Sequence, residues 1–473
     1  MNRDRSKGFL STVVGYNAAR VIRSGRIALT IGATLLLLLR PAVAEASPPI
    51  NAQEVSADPF TNPSSQHQTE VEADNFSFGT TIVAAFQSGR FFDGGGSSGI
   101  GFATSKDGGS TWSDGFLPSL TVFSSPPGSF GRATDPTVAY DAAHGQWLIA
   151  TLACAQSPDT CSTSTAIAVS RSTDGLNWSA PVIVASGRQD HEWIACDEGN
   201  ANQFFGRCYV SWIDLAGGGV LGTASSDDGG QNWTPRTSAT GLFAPSAAVS
   251  PDGTLAVVGL RAGAQSFYAV DRSNDGGSTF STAVISPFVG THASTGMRVV
   301  PAAVIDVDGG GRFYVTWTDC RFRAACSAND AILSTSTDAL NWSPAVRVPA
   351  DAVTGSVDHF IPGLGVDRST SGSDSHVVVT YYYFPDAGCT VKTCKLNVAF
   401  ISSLDGGATW GTAMRLTAHP MRISWLADTT QGHMVGDYMS TAFVGARAIS
   451  VFAVASKPSH TGVLHESMVA TAI

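Results

Sequence analysis

Ser105-Lys-Asp-Gly-Gly-Ser-Thr-Trp112 decides how this chain is read, because the chain writes that pattern six times. The other copies are Ser172-Thr-Asp-Gly-Leu-Asn-Trp178, Ser226-Asp-Asp-Gly-Gly-Gln-Asn-Trp233, Ser273-Asn-Asp-Gly-Gly-Ser-Thr-Phe280, Ser336-Thr-Asp-Ala-Leu-Asn-Trp342 and Ser403-Leu-Asp-Gly-Gly-Ala-Thr-Trp410. Each piece suits a tight hairpin. The Asp carboxylate accepts hydrogen bonds from N–H groups of its own turn, Gly supplies a positive φ, and the closing aromatic folds back as an apolar plug. The aspartates Asp107, Asp174, Asp228, Asp275, Asp338 and Asp405 lie 67, 54, 47, 63 and 67 residues apart. A fixed motif recurring at such a period marks a repeat architecture.

Working outward, each turn sits in the same plan of strands. Pro136-Thr-Val-Ala-Tyr140 reads as a first strand, residues 142–145 as its turn, and Gln146-Trp-Leu-Ile-Ala-Thr-Leu152 as a second. Thr165-Ala-Ile-Ala-Val-Ser170 then leads into the Asp turn, and Pro181-Val-Ile-Val184 leaves it. Comparable first hairpins fall at 71–86, 191–213, 244–260, 299–317, 360–383 and 434–455. Four-stranded units in series, none able to bury both faces alone, stack radially. The expected fold is therefore an all-β β-propeller, with seven blades favoured over six. The turn aromatics Trp112, Trp178, Trp233, Phe280, Trp342 and Trp410 are read as packing between blades.

Composition agrees. Of 473 residues 43% are hydrophobic and only 14% charged, with 50 Gly and 22 Pro, a turn-rich and charge-poor balance. The net charge of −10 and the lack of a Lys/Arg run in the mature part argue against nucleic acid or an anionic membrane as partner. At the N-terminus Arg20, Arg23 and Arg26 precede the apolar run 27–39, with small-residue cleavage sites at Ala42-Val-Ala44 or Ala44-Glu-Ala46. Residues 1–46 are read as a signal peptide, the competing readings being a membrane anchor, for which the run is short, and a misassigned start. Residues 47–70 read as a polar arm and 71–473 as the propeller, so the expected location is secreted, with no membrane span after cleavage. Eight cysteines fall into the close pairs Cys154/Cys161, Cys196/Cys208, Cys320/Cys326 and Cys389/Cys394. In an exported chain these read as disulfides; a metal site is the competing reading. Asp306-Val-Asp-Gly-Gly-Gly-Arg312 is similar to a calcium loop but lacks a later bidentate Glu. It is read as a plain turn, and no cofactor is expected.

Ser-x-Asp-x-Gly-x-Thr-Trp is the Asp box, and six copies in an exported all-β chain resemble the sialidase superfamily from Val71 to the end. The resemblance implies a site at the axial mouth, lined by the openings of the first strands and by the loops joining second to third strands. In this chain the openings carry Glu72, Asp135, Asp190-His191-Glu192, Arg298, Asp358-His359 and Asp437-Tyr438, and the loops carry Arg90, Asp93, Arg261, Asp319 and Arg321. The pairs Cys154/Cys161, Cys320/Cys326 and Cys389/Cys394 fall in the same loops, where staples would stiffen a binding rim. Sialidases clamp a carboxylate with three arginines, attack with a Tyr activated by a Glu, and use an Asp as acid/base. By that resemblance Arg90 and Arg261 bind substrate, Tyr438 is the nucleophile, and Asp93, Asp437 or Glu192 supplies the acid. Arg298, Arg321, Asp135, His191 and His359 complete the candidate binding set. Strict alternation along a strand allows at most two of Asp190, His191 and Glu192 to converge. Two departures stand out: Glu70-Val-Glu-Ala-Asp-Asn75 has no arginine where the family opens on one, and Ala244-Pro-Ser-Ala-Ala-Val-Ser250 has no Glu. The expectation is a monomeric glycoside hydrolase of exo-α-sialidase type acting on extracellular glycans or glycoproteins. The alternative is a non-catalytic propeller that binds glycans or proteins.

Overall fold

The computed structural model describes residues 52–156, 160–161, 164–237, 241–460 and 463–473; the expected signal peptide lies outside them. The chain is all-β, its helical content confined to the single 3-10 turns Ala324–Cys326, Gly372–Asp374 and Ile423–Trp425 among the described residues. Six antiparallel four-stranded units follow one another, with first strands His67–Phe78, Arg132–Asp141, Gln189–Cys196, Phe243–Val249, Ala303–Val307 and Asp358–Val366. A seventh group holds Thr441–Val444, Arg447–Ala455 and Val463–Ala472, and its last strand pairs with Gln53–Glu54 from the beginning of the described chain. The hairpins expected from the sequence occur in all seven groups. Each first strand lies against the next in chain order, and Thr441–Val444 lies against His67–Phe78. Together the seven groups line a cavity of about 410 Å³.

The Asp turns explain why the units stop and reverse where they do. In the first unit Ser105 Oγ donates to Asp107 Oδ1 at 2.8 Å, which also accepts the N–H groups of Ser110 and Thr111 at 3.0 and 2.8 Å. Thr111 Oγ1 donates to the other oxygen at 2.6 Å, and this hydroxyl, the turn N–H groups and Ser105 hold the Asp107 carboxyl down at about 2. The turn aromatics pack between units: Trp178 of the second unit lies 5.7 Å from Phe102 of the first. Gly175 supplies a φ of +71°, and a Cβ there would meet Val83 Cγ2 at 2.9 Å and Thr104 Cγ2 at 3.1 Å in the first unit. The fifth unit has Ala339 at the matching position with a φ of +54°, so the strain alone is tolerated where space permits.

The ends of the chain are held to each other. Val55, within the stretch read as a polar arm, is buried, and its N–H donates to the Met468 carbonyl at 2.9 Å. His67 and Thr69 of the first strand pair in parallel with Val463 and Glu466 of the last. Glu70 lies beneath this seam and accepts Ser56 Oγ and, at 3.1 Å, the N–H of Met468. Burial pushes its carboxyl up to about 8.

All eight cysteines are paired as disulfides. Cys154–Cys161, Cys320–Cys326 and Cys389–Cys394 close loops after second strands, and Cys196–Cys208 joins two paired strands of the third unit. The Cys161 N–H donates to the Gly94 carbonyl at 2.8 Å, so this staple also ties the loop of the second unit to that of the first. Cys394 is buried in the largest apolar cluster, and its N–H donates to the Thr390 carbonyl at 2.8 Å, which closes a turn inside its own short loop. No helix among the described residues is long and apolar enough to cross a membrane.

Two stability measurements check this account. Gly175→Ala should lower the unfolding free energy by about 2 kcal/mol or more in urea, because left-handed strain adds to the contact with Val83. A neutral result would mean that the second Asp turn does not fix the packing of its unit. For Glu70 the folded carboxyl titrates above the unfolded one, so its contribution is complete below about 4.5 and is lost as pH rises towards about 8. Glu70→Gln should therefore narrow the fall in stability between pH 5 and 8 by roughly 2 kcal/mol or more relative to the parent. Parallel pH curves for the two proteins would contradict the buried position of Glu70.

Candidate functional site

The first strands do not run straight into the mouth. Their hydrogen-bond register slips between Val71 and Asp74, between Thr134 and Thr137, and between Asp190 and Trp193. At each slip a residue other than glycine takes the left-handed conformation: Glu72 at φ +63°, Asp135 at +51° and His191 at +47°. A bulge inserts one residue and re-aims the side chains on either side, at a backbone cost of about 1 kcal/mol or more for each such residue. Ala244 and Ile361 repeat the conformation in the fourth and sixth units without a polar side chain. The device is thus part of the repeat, and three units use it to present acid and imidazole groups.

The bulge overturns the alternation expected for Asp190-His191-Glu192. Asp190 and Glu192 both lie in the field of Asp135, and the His191 ring stands edge-on to Tyr438 at 5.5 Å. All three therefore converge. The seventh group supplies Asp437 and Tyr438 after Gly436, whose φ is +147° and whose Cβ, if present, would lie 2.8 Å from Glu72 Cα. Only a residue without a side chain lets these two strands approach so closely.

A hydrogen-bonded frame holds the cluster. Glu72 accepts the N–H of Asp437 at 3.1 Å on one oxygen and the side-chain amide of Gln87 on the other. Arg298 reaches this point through a long connection after the fourth unit: its N–H donates to the His433 carbonyl at 2.8 Å. Its guanidinium chelates Asp437, with Nε at 2.8 and 3.1 Å from the two oxygens and Nη2 on one of them, while Nη1 donates to Gln431 at 2.7 Å. Arg90 is buried, donating to the Gly96 carbonyl and, through Nε, to the Met434 sulfur at 3.3 Å. Burial and the nearby Arg298 charge lower it to about 10, so it keeps its charge at neutral pH. Tyr438 is also buried, packs edge-on to Trp193 at 5.3 Å, and donates its hydroxyl to the Pro136 carbonyl at 3.0 Å. Burial and the surrounding carboxyls Glu72, Asp135 and Glu192 hold this phenol well above its ordinary range.

The acids form two layers. Glu72 and Glu192 are fully enclosed, and burial together with the Asp135 charge holds both well above the ordinary carboxyl range. Neither oxygen of Glu192 has a hydrogen-bond partner among the other described residues. Asp190 is only partly buried, and burial followed by Asp135 raises it to about 6. Asp135 accepts the hydroxyl of Thr134 at 2.7 Å. Neither Asp135 nor Asp190 makes an ion pair with a described residue.

The remaining candidates form no bond to this cluster among the described residues. Arg321 is committed to Asp319 and Ser286 at 2.6 and 2.8 Å, and lies over the Trp317 ring. Arg261 ends a second strand in the fourth unit without an ion pair to a described residue. Asp93 is exposed, and its backbone carbonyl accepts from Arg132 at 2.5 Å. His359 joins Asp330 and Asp351 in a group compact enough to hold a cation, with ligand atoms within 4.8 Å of one another. Arg323 and Arg347 already pair both carboxylates there, so the two positive charges a metal would bring are supplied by the protein. In the turn read as plain, Asp308 accepts the N–H groups of Gly310 and Arg312 at 2.9 Å each, and the Ser375 hydroxyl of the next unit at 2.6 Å.

Cys154–Cys161, Cys320–Cys326 and Cys389–Cys394 close the loops after second strands in which the sequence places them, and no cysteine offers a reactive group. Cys161 meets the first unit's loop through Gly94, and Cys394 is enclosed among apolar side chains such as Leu396 and Met421. No hydrogen bond links Cys161 or Cys394 to the acid cluster among the described residues, and a sulfur held in a disulfide is neither a nucleophile nor a metal ligand. Cys154, Cys196, Cys208, Cys320, Cys326 and Cys389 are bonded in the same way, so a cysteine metal site is excluded. Sequence reasoning passed over Gln87, Trp193, Gln431 and Met434. Gln87 alone carried a signal, as a polar residue in an apolar second strand.

No protein-family model matches the sequence, and no curated protein matches it. Among solved structures, phage phi92 endosialidase aligns over 90% of this chain and 69% of its own, at 12% identity and a TM-score of 0.50. A Hadza microbial sialidase aligns over 80% and 73%, at 15% identity and a TM-score of 0.43. An α-L-arabinofuranosidase from Fusarium graminearum aligns over 60% and 92%, at 12% identity and 0.37. At such identities the likeness is one of fold alone: the chain is all-β, and its fold resembles that of the phage phi92 endosialidase.

Proposed function

We propose that this chain is an exported, seven-bladed propeller that processes glycans at the axial mouth carrying Glu72, Asp135, Asp190, Glu192 and Asp437. Seven successive strand groups, and the packing of Thr441–Val444 on His67–Phe78, support the count of seven blades. Four disulfides support an oxidising destination. The reaction class is glycoside hydrolysis, which needs one carboxyl that holds a proton and one that does not. The observation that carries this reading is the contrast between Glu192, enclosed and without a partner among the other described residues, and Asp190, wetter and titrating near 6. Glu192 is the proton donor to the leaving oxygen. Asp190, with Asp135 beside it, faces the developing positive charge on the sugar or activates water.

Tyr438 serves this site as a wall and not as the nucleophile. Its hydroxyl proton is directed at the Pro136 carbonyl, no carboxylate accepts it, and its surroundings disfavour a phenolate. The same observation favours a second reading, a propeller that binds glycans without cleaving them. Arg90 and Arg298 point the same way, because both guanidinium groups are already bonded within the protein.

Hydrolysis of a panel of fluorogenic sialosides and neutral glycosides by the mature chain separates the two readings. If the protein is a hydrolase of this design, Glu192→Gln should lower kcat by about a hundredfold or more with little change in KM. Tyr438→Phe should lose less than about tenfold, with stability down by roughly 1 kcal/mol for the hydrogen bond removed. A Tyr438→Phe protein that is inert while folded would restore the phenol as nucleophile. Lack of turnover on every glycoside would leave the binding reading.

A further inference from the structure

We infer that the axial mouth recognises a primary ammonium group on its glycan, a hexosamine left un-acetylated, in preference to a neutral or acidic sugar. This rests on the glycan reading above and names the chemical class that the same site takes. Three observations carry it.

The cations at the mouth are already used. Arg298 is chelated by Asp437 and bonded to Gln431, and Arg90 is directed at a carbonyl and a thioether. A sugar carboxylate arriving here would meet no open guanidinium fork, and two separated charges bonded inward do not make a bidentate clamp. Arg261 and Arg321 do not supply one either, since Arg321 is held by Asp319 and neither forms a bond to the cluster among the described residues.

Two of the anions at the mouth have no cation of their own among the described residues. Asp135 lies close enough to Asp190 for its charge to be felt there, yet neither has a cationic partner within ion-pair distance among the described residues. Unpaired carboxylates of this kind, partly drawn out of water, attract a cation more strongly than exposed ones do. Their positions are also fixed, Asp135 by its left-handed backbone and Asp190 by the neighbouring bulge.

The third observation concerns Glu192. The residue is 0% exposed, lies among the same group of acids, and has no partner on either carboxyl oxygen among the other described residues. A buried polar group without a partner carries a desolvation cost that a donor from a ligand relieves. An ammonium offers three donors and a charge, whereas an acetamide offers one donor and no charge. The site is thus short of donors and of positive charge at once, and one substituent supplies both.

Calorimetric titration of the mature chain with three probes tests this: a glucosamine oligomer, the N-acetylglucosamine oligomer of equal length, and sialyl-lactose. The expected result is binding of the glucosamine oligomer at least about tenfold tighter than its acetylated counterpart, with sialyl-lactose weakest. The gap should shrink between about 20 and 300 mM salt. Asp190→Asn and Asp135→Asn should each reduce it several-fold, the second without backbone penalty because Asn also accepts the left-handed conformation. Equal binding of the two hexosamine oligomers, or tighter binding of sialyl-lactose, would overturn the inference while leaving the glycan site standing. Should none of the three sugars bind, the glycan reading itself falls, and the inference with it.

Discussion

The structure depends on a single buried acid, Glu72, that joins its two ends. One oxygen of this carboxyl takes the N–H of Asp437 and the other the amide of Gln87, so it bonds to the strand that opens the seventh group and to its own hairpin partner. The contact is possible because Gly436 lets the strands approach and because Glu72 itself is left-handed. The first and last strand groups pack on each other, and their junction uses polar groups in addition to the seam of Gln53–Glu54 and Val463–Ala472. Burial of such groups is costly unless each is bonded, which is why the joining acid carries two donors.

That arrangement sets the electrostatics of the mouth. Burial and then the Asp135 charge push the Glu72 carboxyl well above its ordinary range, and the nearby Arg298 is chelated by Asp437. The acids consequently sort by depth. Those drawn inward, Glu72 and Glu192, are held well above the ordinary carboxyl range by burial and by Asp135, while Asp190, nearer to solvent, titrates at about 6. The sorting arises from geometry alone, since all of these groups sit on neighbouring strand openings.

Much of this was legible in the sequence, for physical reasons that differ by feature. The Asp turns are local, their bonds being made within five residues, so the pattern of Ser, Asp, Gly and Trp suffices to recognise them. Cysteines paired at short range are local too, so Cys161 and Cys394 could be matched to their partners, though not to the surroundings that set them apart from the acids. The openings of the first strands could be placed, which is why Glu72, Asp135, Glu192, Arg298 and Asp437 can be grouped as neighbours. What they do could not be read, because it depends on bulges that break the alternation and on partners hundreds of residues away. The hydroxyl of Tyr438 ends on a carbonyl 302 residues distant, and Arg298 finds its acid 139 residues later. Arg261 ends a second strand and Arg321 lies just after one, near where the sequence placed them, yet Arg321 is claimed by its own Asp319, a competition that no motif records.

The far end of the axis argues for reading the two mouths separately. Below Tyr438 and Trp193 lies the cavity lined by all seven groups, and its opposite opening is crossed by Arg368. That guanidinium bonds Glu198 of the third unit at 2.6 Å and Asp306 of the fifth at 3.3 Å, and lies 5.3 Å from the Phe76 ring of the first. A side chain from the sixth unit that touches the first, third and fifth stands on the axis itself. Trp193, packed on Tyr438, and Arg368, held in its ion triad, thus both wall the cavity. On the reading proposed above, a ligand held by Asp135 and Asp190 is therefore recognised by those carboxyls and not by the cavity that Trp193 and Arg368 line, because neither acid borders it.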